Sequence, residues 1–173
     1  MASLLERRDG LSSEEEANLM RFYFGFERGV FDSISTFFAV SPAVQTEATT
    51  LYLAQQKQLE RLPRSLATQG DSRIVFRRNP DIKGTMGAFG YNYFTDKYGD
   101  DKARSIRLLR YDGLRGSGGE YAYEVLNFAN GKRTVQEIRD AVSAIYGPVP
   151  LELVLEYLKA LETIKVVQRV EKS

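Results

Sequence analysis

Apolar residues recur at helical spacing through the first third of the chain. A serine cap and an acidic first turn at residues 12–16 precede one apolar stripe, and Ser41-Pro42 begins another. The first stripe is Leu19, Phe22, Tyr23, Phe26 and Val30. The second stripe is Val44, Ala48, Leu51, Tyr52, Leu59 and Leu62. Because the connection is short, residues 1–64 predict two antiparallel helices that bury these stripes against each other.

The middle of the chain, residues 65–119, has an irregular pattern. Residues 73–77 predict a short strand, which the Asn79-Pro80 turn ends. Residues 91–109 predict one or two short helices, with Asp100 or Asp101 as an N-cap. Four glycines then cluster before the next periodic segment, and this clustering favours a flexible hinge. These are Gly113, Gly116, Gly118 and Gly119.

The C-terminal segment, residues 120–173, carries the clearest local signals. A first helix ends at Asn130-Gly131, a pair able to take the left-handed conformation. Thr134 and Glu137 have the spacing of a capping box at the start of a second helix. A third helix follows a glycine-proline turn, and a strand rich in β-branched residues comes last, at residues 164–170. This order of elements is that of a winged helix-turn-helix.

The pattern as a whole predicts a mainly α fold with short β-strands. An N-terminal helical pair and an irregular middle lead to a C-terminal subdomain that is winged-helix-like. The length of 173 residues suits one domain with a small appendage. A hydrophobic content of 43% and a charged content of 27% are ordinary for a globular protein and argue against disorder.

The chain contains no histidine and no cysteine. This composition excludes a Ser-His-Asp triad, a cysteine nucleophile and the ordinary zinc, haem and iron–sulfur sites. We therefore expect a chain that is not an enzyme, with no catalytic residue, metal or cofactor. A hydrolase that works with carboxylates alone stays open, although no pair of carboxyl groups in the sequence is marked as one buried and one solvated.

Charge and hydropathy bear on location and partners. The net charge of +1 provides no global field toward nucleic acid or anionic lipid. No apolar run approaches the roughly 18–20 residues of a membrane span. The N-terminus lacks the hydrophobic region of a signal peptide, so the chain as given is expected to be cytoplasmic. That location does not follow if the chain is a piece of a longer exported protein.

Two resemblances stand on particular residues. Residues 124–138, with Asn130-Gly131 followed by Thr134 and Glu137, resemble the helical core of PqqD-like domains. Residues 76–80, 89–94 and 121–167 are similar to the C-terminal, non-catalytic region of bacterial family-28 zinc aminopeptidases. The first resemblance implies a small winged helix that holds peptides or docks on proteins. The second implies a module accessory to a zinc aminopeptidase on another segment or chain.

These observations predict a non-catalytic protein- or peptide-binding or assembly module, with an oligomer possible. Leu153 and Tyr157 are expected to lie off the core stripe of the last helix and to meet a partner. Phe24 and Phe31 are candidates for an exposed aromatic patch, against the alternative of a fully buried helix. The competing class is a winged-helix regulator that binds DNA. Against it, the helix that would enter the groove carries three glutamates and one lysine.

Overall fold

The computed structural model of the chain describes residues 13–63, 70–84, 86–88 and 91–170. These residues are mainly helical with short β-strands, which confirms the predicted fold class. The chain divides into two compact units at residue 65. The first unit therefore coincides with the predicted helical pair.

The first unit contains two long helices, α1 (Ser13–Phe37) and α2 (Pro42–Glu60). Ser41 caps α2 as predicted, because its hydroxyl accepts a hydrogen bond from the Val44 backbone N–H at 3.4 Å. The Arg21 guanidinium donates to the backbone carbonyls of Leu62 and Pro63, both at 2.9 Å, and so ties α1 to the end of α2. The predicted cap at Ser12 lies outside the described residues.

The faces that meet between α1 and α2 differ from the predicted stripes. The rings of Phe24 and Phe31 pack edge-on against Tyr52, with centroids 5.7 and 5.9 Å apart. Both phenylalanines are half-buried, which corrects the prediction of an exposed patch there. The predicted core residues Phe26 and Val30 are exposed instead. The apolar arc of α1 is wider than one helix–helix contact, and periodicity alone does not choose which part meets the neighbour.

The second unit is built on a three-stranded antiparallel sheet of order β4-β1-β5. The central strand β1 (Val75–Arg78) and the edge strand β5 (Val167–Arg169) confirm the two predicted strands. The other edge, β4 (Asn130–Thr134), was not predicted, because its sequence is that of a turn. A separate two-stranded pair is formed by β2 (Gly87–Ala88) and β3 (Tyr91–Asn92).

The described residues of this unit also form five α-helices and two 3₁₀ turns. The helices are α3 (Tyr93–Tyr98), α4 (Asp100–Ser105), α5 (Gly118–Phe128), α6 (Val135–Tyr146) and α7 (Leu151–Thr163). The 3₁₀ turns are Gly70–Arg73 and Arg107–Arg110. Gly99 is the N-cap of α4, so the aspartates predicted as its cap lie inside its first turn. The capping box of Thr134 and Glu137 at the start of α6 is confirmed, with the Glu137 N–H 3.2 Å from the Thr134 hydroxyl.

One core serves the whole second unit. Phe76 of β1, Phe94 of α3 and Leu108 of the second 3₁₀ turn are buried together with the apolar faces of α5, α6 and α7. The segments predicted as an irregular middle and a separate C-terminal subdomain therefore share their interior. Tyr121 is the largest fully buried side chain.

The glycine cluster is a closely packed turn. A Cβ on Gly113 would overlap the ring of Tyr121, and a Cβ on Gly118 would overlap the backbone carbonyl of Leu108. The Gly113 N–H also donates to the Gly116 carbonyl at 3.0 Å. The predicted hinge is therefore wrong: Gly113 and Gly118 lack a side chain so that the turn can lie against the core.

Candidate partner-binding surfaces

Leu153 and Tyr157 of α7 belong to the core. Only 7% of Leu153 and 5% of Tyr157 is exposed, and the Tyr157 ring packs on Phe94 with centroids 5.8 Å apart. The prediction that both lie off the core face is corrected. Since Phe94 of α3 and the second 3₁₀ turn pack on α7, this helix buries a wider arc than its leucine stripe indicates.

An open groove of about 510 Å³ runs beside α7. Its lining combines the apolar Ile106 and Leu155 with the hydroxyl groups of Ser105 and Thr163 and with the charged residues Arg107, Glu156 and Lys159. Glu152 is exposed in the groove. A mixed apolar and polar groove of this size is suited to a short peptide or a side chain of a partner.

Most charged residues of α7 form ion pairs or hydrogen bonds within the second unit. Glu156 accepts the Arg107 backbone N–H at 2.8 Å and the Arg107 guanidinium at 2.7 Å. Lys159 donates to Asp71 at 2.6 Å. Glu162 accepts from Arg169 at 2.7 Å. The single lysine of the helix is therefore already neutralised.

The pairs with Arg107 and Lys159 lower the pKa values of Glu156 and Asp71. Burial by itself would raise the pKa of Glu156, but the two hydrogen bonds and the positive charge of Arg107 outweigh it and the net pKa is lowered. The hydrogen bond and the charge of Lys159 lower the pKa of Asp71. Both carboxylates are thus ionised at neutral pH and bound to their cations.

Other basic residues are also engaged. Arg139 is buried in α6 and lies 2.9 Å from Asp140. Arg133 stacks over the Phe128 ring, with its guanidinium carbon 5.0 Å from the ring centroid. Arg104 pairs with Asp101 at 3.5 Å. The sequence contains these cations, but only the fold shows that they face their own chain.

Most of the large exposed apolar side chains of the described residues lie on the helical pair. Six of them share one side of it: Phe26, Val30, Ile34 and Phe37 on α1, and Val44 and Leu51 on α2. We call these six residues the apolar face. Four of them were predicted to lie in a core. The sequence did contain a sign of their exposure, because the apolar arc is wider than one neighbouring helix can cover.

The described residues hold no group of three acidic, histidine or cysteine side chains close enough to bind a metal ion. Within the same residues, no single helix is long and apolar enough to cross a membrane. As a pair, α6 and α7 have enough length and apolar character to cross one, but the two helices are bent by 115° relative to each other.

Comparisons with known proteins add no relative. No family model matches the chain, and neither the curated proteins nor the solved structures include a match.

Proposed function

We propose that this chain is a non-catalytic protein- or peptide-binding module, accessory to a zinc aminopeptidase on another segment or chain. The resemblance of residues 76–80, 89–94 and 121–167 to the C-terminal region of such enzymes suggests the partner. The second unit acts as a winged helix-turn-helix in this proposal, with α6 and α7 as its two helices. Their bend of 115° falls in the range typical of helix-turn-helix pairs, which supports it.

The observation that carries the proposal is the chemistry of α7. In a DNA-binding winged helix, this helix would present free cations to the phosphates. Here Lys159 is bound to Asp71, and Glu152 remains exposed beside the groove. A helix whose lysine is already paired favours a peptide over a nucleic acid. The groove is lined by Arg107 and Lys159 as well as Glu152 and Glu156, so its charges balance and a neutral peptide segment fits it best.

The alternative, a DNA-binding regulator, has one observation in its favour, namely the bend between α6 and α7. Arg139 cannot serve it from its buried position beside Asp140. Retention on DNA that falls steeply with ionic strength would be its signature.

The test is direct binding of the full chain to the purified zinc aminopeptidase domain encoded with it or in the same source. We expect a micromolar complex by isothermal titration calorimetry. Ser105→Trp places a bulky ring in the groove from an exposed position and should weaken the complex at least tenfold. Asn127→Trp, an equally bulky change at an exposed position of α5, is the matched control and should leave affinity unchanged.

Two results would overturn the proposal. The first is an absence of binding at 100-fold excess over the expected micromolar range. The second is a complex that loses equal affinity in both tryptophan variants, since that would show a general effect of bulk and no role for the groove. Salt-dependent DNA binding without peptidase binding would promote the alternative.

A further inference from the structure

The apolar face of the helical pair is continuous along one side. In α1 the helical repeat places Phe26, Val30, Ile34 and Phe37 in one arc. That arc is adjacent to the contact with α2, which Phe24 and Phe31 make through Tyr52. It is not covered by that contact.

Val44 and Leu51 extend this surface onto α2. They lie seven residues apart, so they share a face of the helix. Because the two helices are antiparallel, this face turns to the same side of the pair as the arc on α1. Leu53 lies two residues from Leu51 and projects from the opposite side of α2, so it is not part of the apolar face.

From Phe26 to Phe37 the helical pair buries no residue on this side, although Leu19, seven residues before Phe26, is buried. No residue of α2 is buried, although the helix is 19 residues long. A lone helix of that length is marginal in water, and helices in proteins derive most of their stability from packing an apolar face. A two-helix unit exposing these side chains is thus half of a bundle.

The exposed area matches what one partner contributes to a stable interface. The exposed fractions run from 41% for Ile34 to 78% for Phe37. The six residues of the apolar face expose on the order of 600 Å² of apolar side chain. A standard interface buries roughly 800 Å² on each partner.

The charge of the unit argues against a lipid occupant. Residues 1–65 hold seven basic and nine acidic residues, which gives a net charge of −2. Amphipathic helices that lie on anionic membranes carry lysine and arginine along their polar face. This unit has the opposite sign.

We propose that a second copy of this chain covers the apolar face, so that two helical pairs close into a four-helix bundle. The face suits a twofold interface because its two halves are complementary: α1 contributes the large rings of Phe26 and Phe37, and α2 contributes the smaller Val44 and Leu51. A twofold axis sets α1 of one copy against α2 of the other, so rings meet aliphatic side chains. This inference concerns the first unit and goes beyond the proposed function, which concerns the second.

Sedimentation equilibrium of the full chain tests the proposal. The wild type is expected to be a dimer at micromolar concentration. Leu51→Glu places a charge within the interface and should weaken dimerisation at least 100-fold. Leu53→Glu is the matched control, because Leu51 and Leu53 are 57% and 55% exposed but lie on opposite sides of α2. It should remain dimeric.

A second measurement leaves the interface intact. The chain has no cysteine, so Leu53→Cys gives one spin label per copy on the far side of α2. Dipolar coupling between labels then arises only between copies, and we expect a defined distance that Leu51→Glu abolishes. A wild type that is monomeric at 100 micromolar overturns the proposal, as does a dimer that survives Leu51→Glu or is lost equally in Leu53→Glu.

The two proposals fail separately. A monomer that still binds the aminopeptidase domain retains the proposed function and rejects the dimer. A dimer that binds no peptidase does the reverse.

Discussion

Gly118 at the start of α5 packs directly against the backbone carbonyl of Leu108. No space remains for a β-carbon, since it would overlap that oxygen and the neighbouring peptide of Leu109. The contact joins α5 to the 3₁₀ turn Arg107–Arg110, and Leu108 of that turn is fully buried. A glycine in a segment that reads as a linker is thus a packing position of the core.

Gly118→Ala should lower the free energy of unfolding by about 3 kcal/mol, because the methyl group forces the turn and α5 apart. The neighbouring Gly119→Ala is the control, with only the Ser117 hydroxyl at 4.0 Å from the new methyl. It should raise stability by about 0.5–1 kcal/mol, since alanine is the better helix former. Urea unfolding of the full chain followed by circular dichroism at 222 nm measures both.

The expected result is that the two alanine variants change the free energy of unfolding in opposite directions. Equal and small effects would mean that the turn yields easily, and the hinge interpretation of the sequence would then return.

Tyr121→Phe should destabilise the second unit by about 1–2 kcal/mol. The Tyr121 hydroxyl donates to the backbone carbonyls of Tyr146 and Gly147, at 2.8 and 3.0 Å, and so holds the end of α6. Removing the hydroxyl leaves the half-buried Gly147 carbonyl without this donor, while the Tyr146 carbonyl keeps the Arg115 backbone N–H at 3.0 Å. Tyr123→Phe, at an exposed position of the same helix, should change stability by less than about 0.5 kcal/mol. Thermal melts of the two variants, run in parallel with the wild type, provide the comparison.

Stability should fall between pH 10 and pH 12. Burial, together with the nearby Tyr111, raises the pKa of Tyr121 from 10.0 to about 12. The unfolded chain then loses this proton at lower pH than the folded chain, so the contribution is fully present below pH 10 and is lost as pH rises toward 12. Urea midpoints across this range, in wild type and Tyr121→Phe, measure the slope.

The decline in stability should be shallower in the phenylalanine variant, because Tyr121 no longer contributes. Some decline should remain, because burial also raises the pKa values of Tyr111 and Tyr146. Identical slopes in the two proteins would remove Tyr121 as a contributor to the alkaline transition.

Glu156→Gln should cost up to about 1 kcal/mol at low salt. The variant loses the ion pair with Arg107, whose side chain is 58% exposed, so solvent screens much of the interaction. Because the pKa of Glu156 is lowered in the folded chain, its contribution is present above pH 4.5 and disappears as pH falls further. Denaturation at pH 7 and pH 3, in 20 mM and 500 mM salt, measures the difference.

The difference in free energy of unfolding between wild type and Glu156→Gln should vanish at pH 3 and become smaller in high salt. Glu152→Gln, an exposed glutamate on the same helix, should have no comparable effect. A gap that persists at pH 3 would assign the loss to altered packing of α7.

Local signals in the sequence were sufficient for several elements. The cap at Ser41 and the capping box of Thr134 and Glu137 depend only on residues three apart, so both could be predicted. Strand β4 could not, because Asn130-Gly131 has the composition of a turn and becomes a strand only by pairing with β1. The pairing partner is more than 50 residues away in the chain.

The candidate surfaces divide in the same way. The amphipathic character of α1 and α2 follows from their periodicity, but its orientation does not. Phe24 and Phe31 were candidates for an exposed patch, with a fully buried helix as the alternative, and they lie half-buried against Tyr52. Phe26 and Val30 were expected inside and are exposed. Because the apolar arc is wider than one helix–helix contact, the helix can turn about its axis in either direction and still bury apolar side chains. Tertiary packing therefore selects which of them are buried.

The sequence by itself determined what depends on neighbours along the chain: helix starts, a mainly α fold with short strands, and a composition without histidine or cysteine. Tertiary structure decided which apolar residues are buried, that Leu153 and Tyr157 are core, and that the cations of α6 and α7 pair within the chain. The physical reason is the range of the interactions. Capping and periodicity act within one or two turns, while burial and ion pairing join residues that only the folded chain brings together.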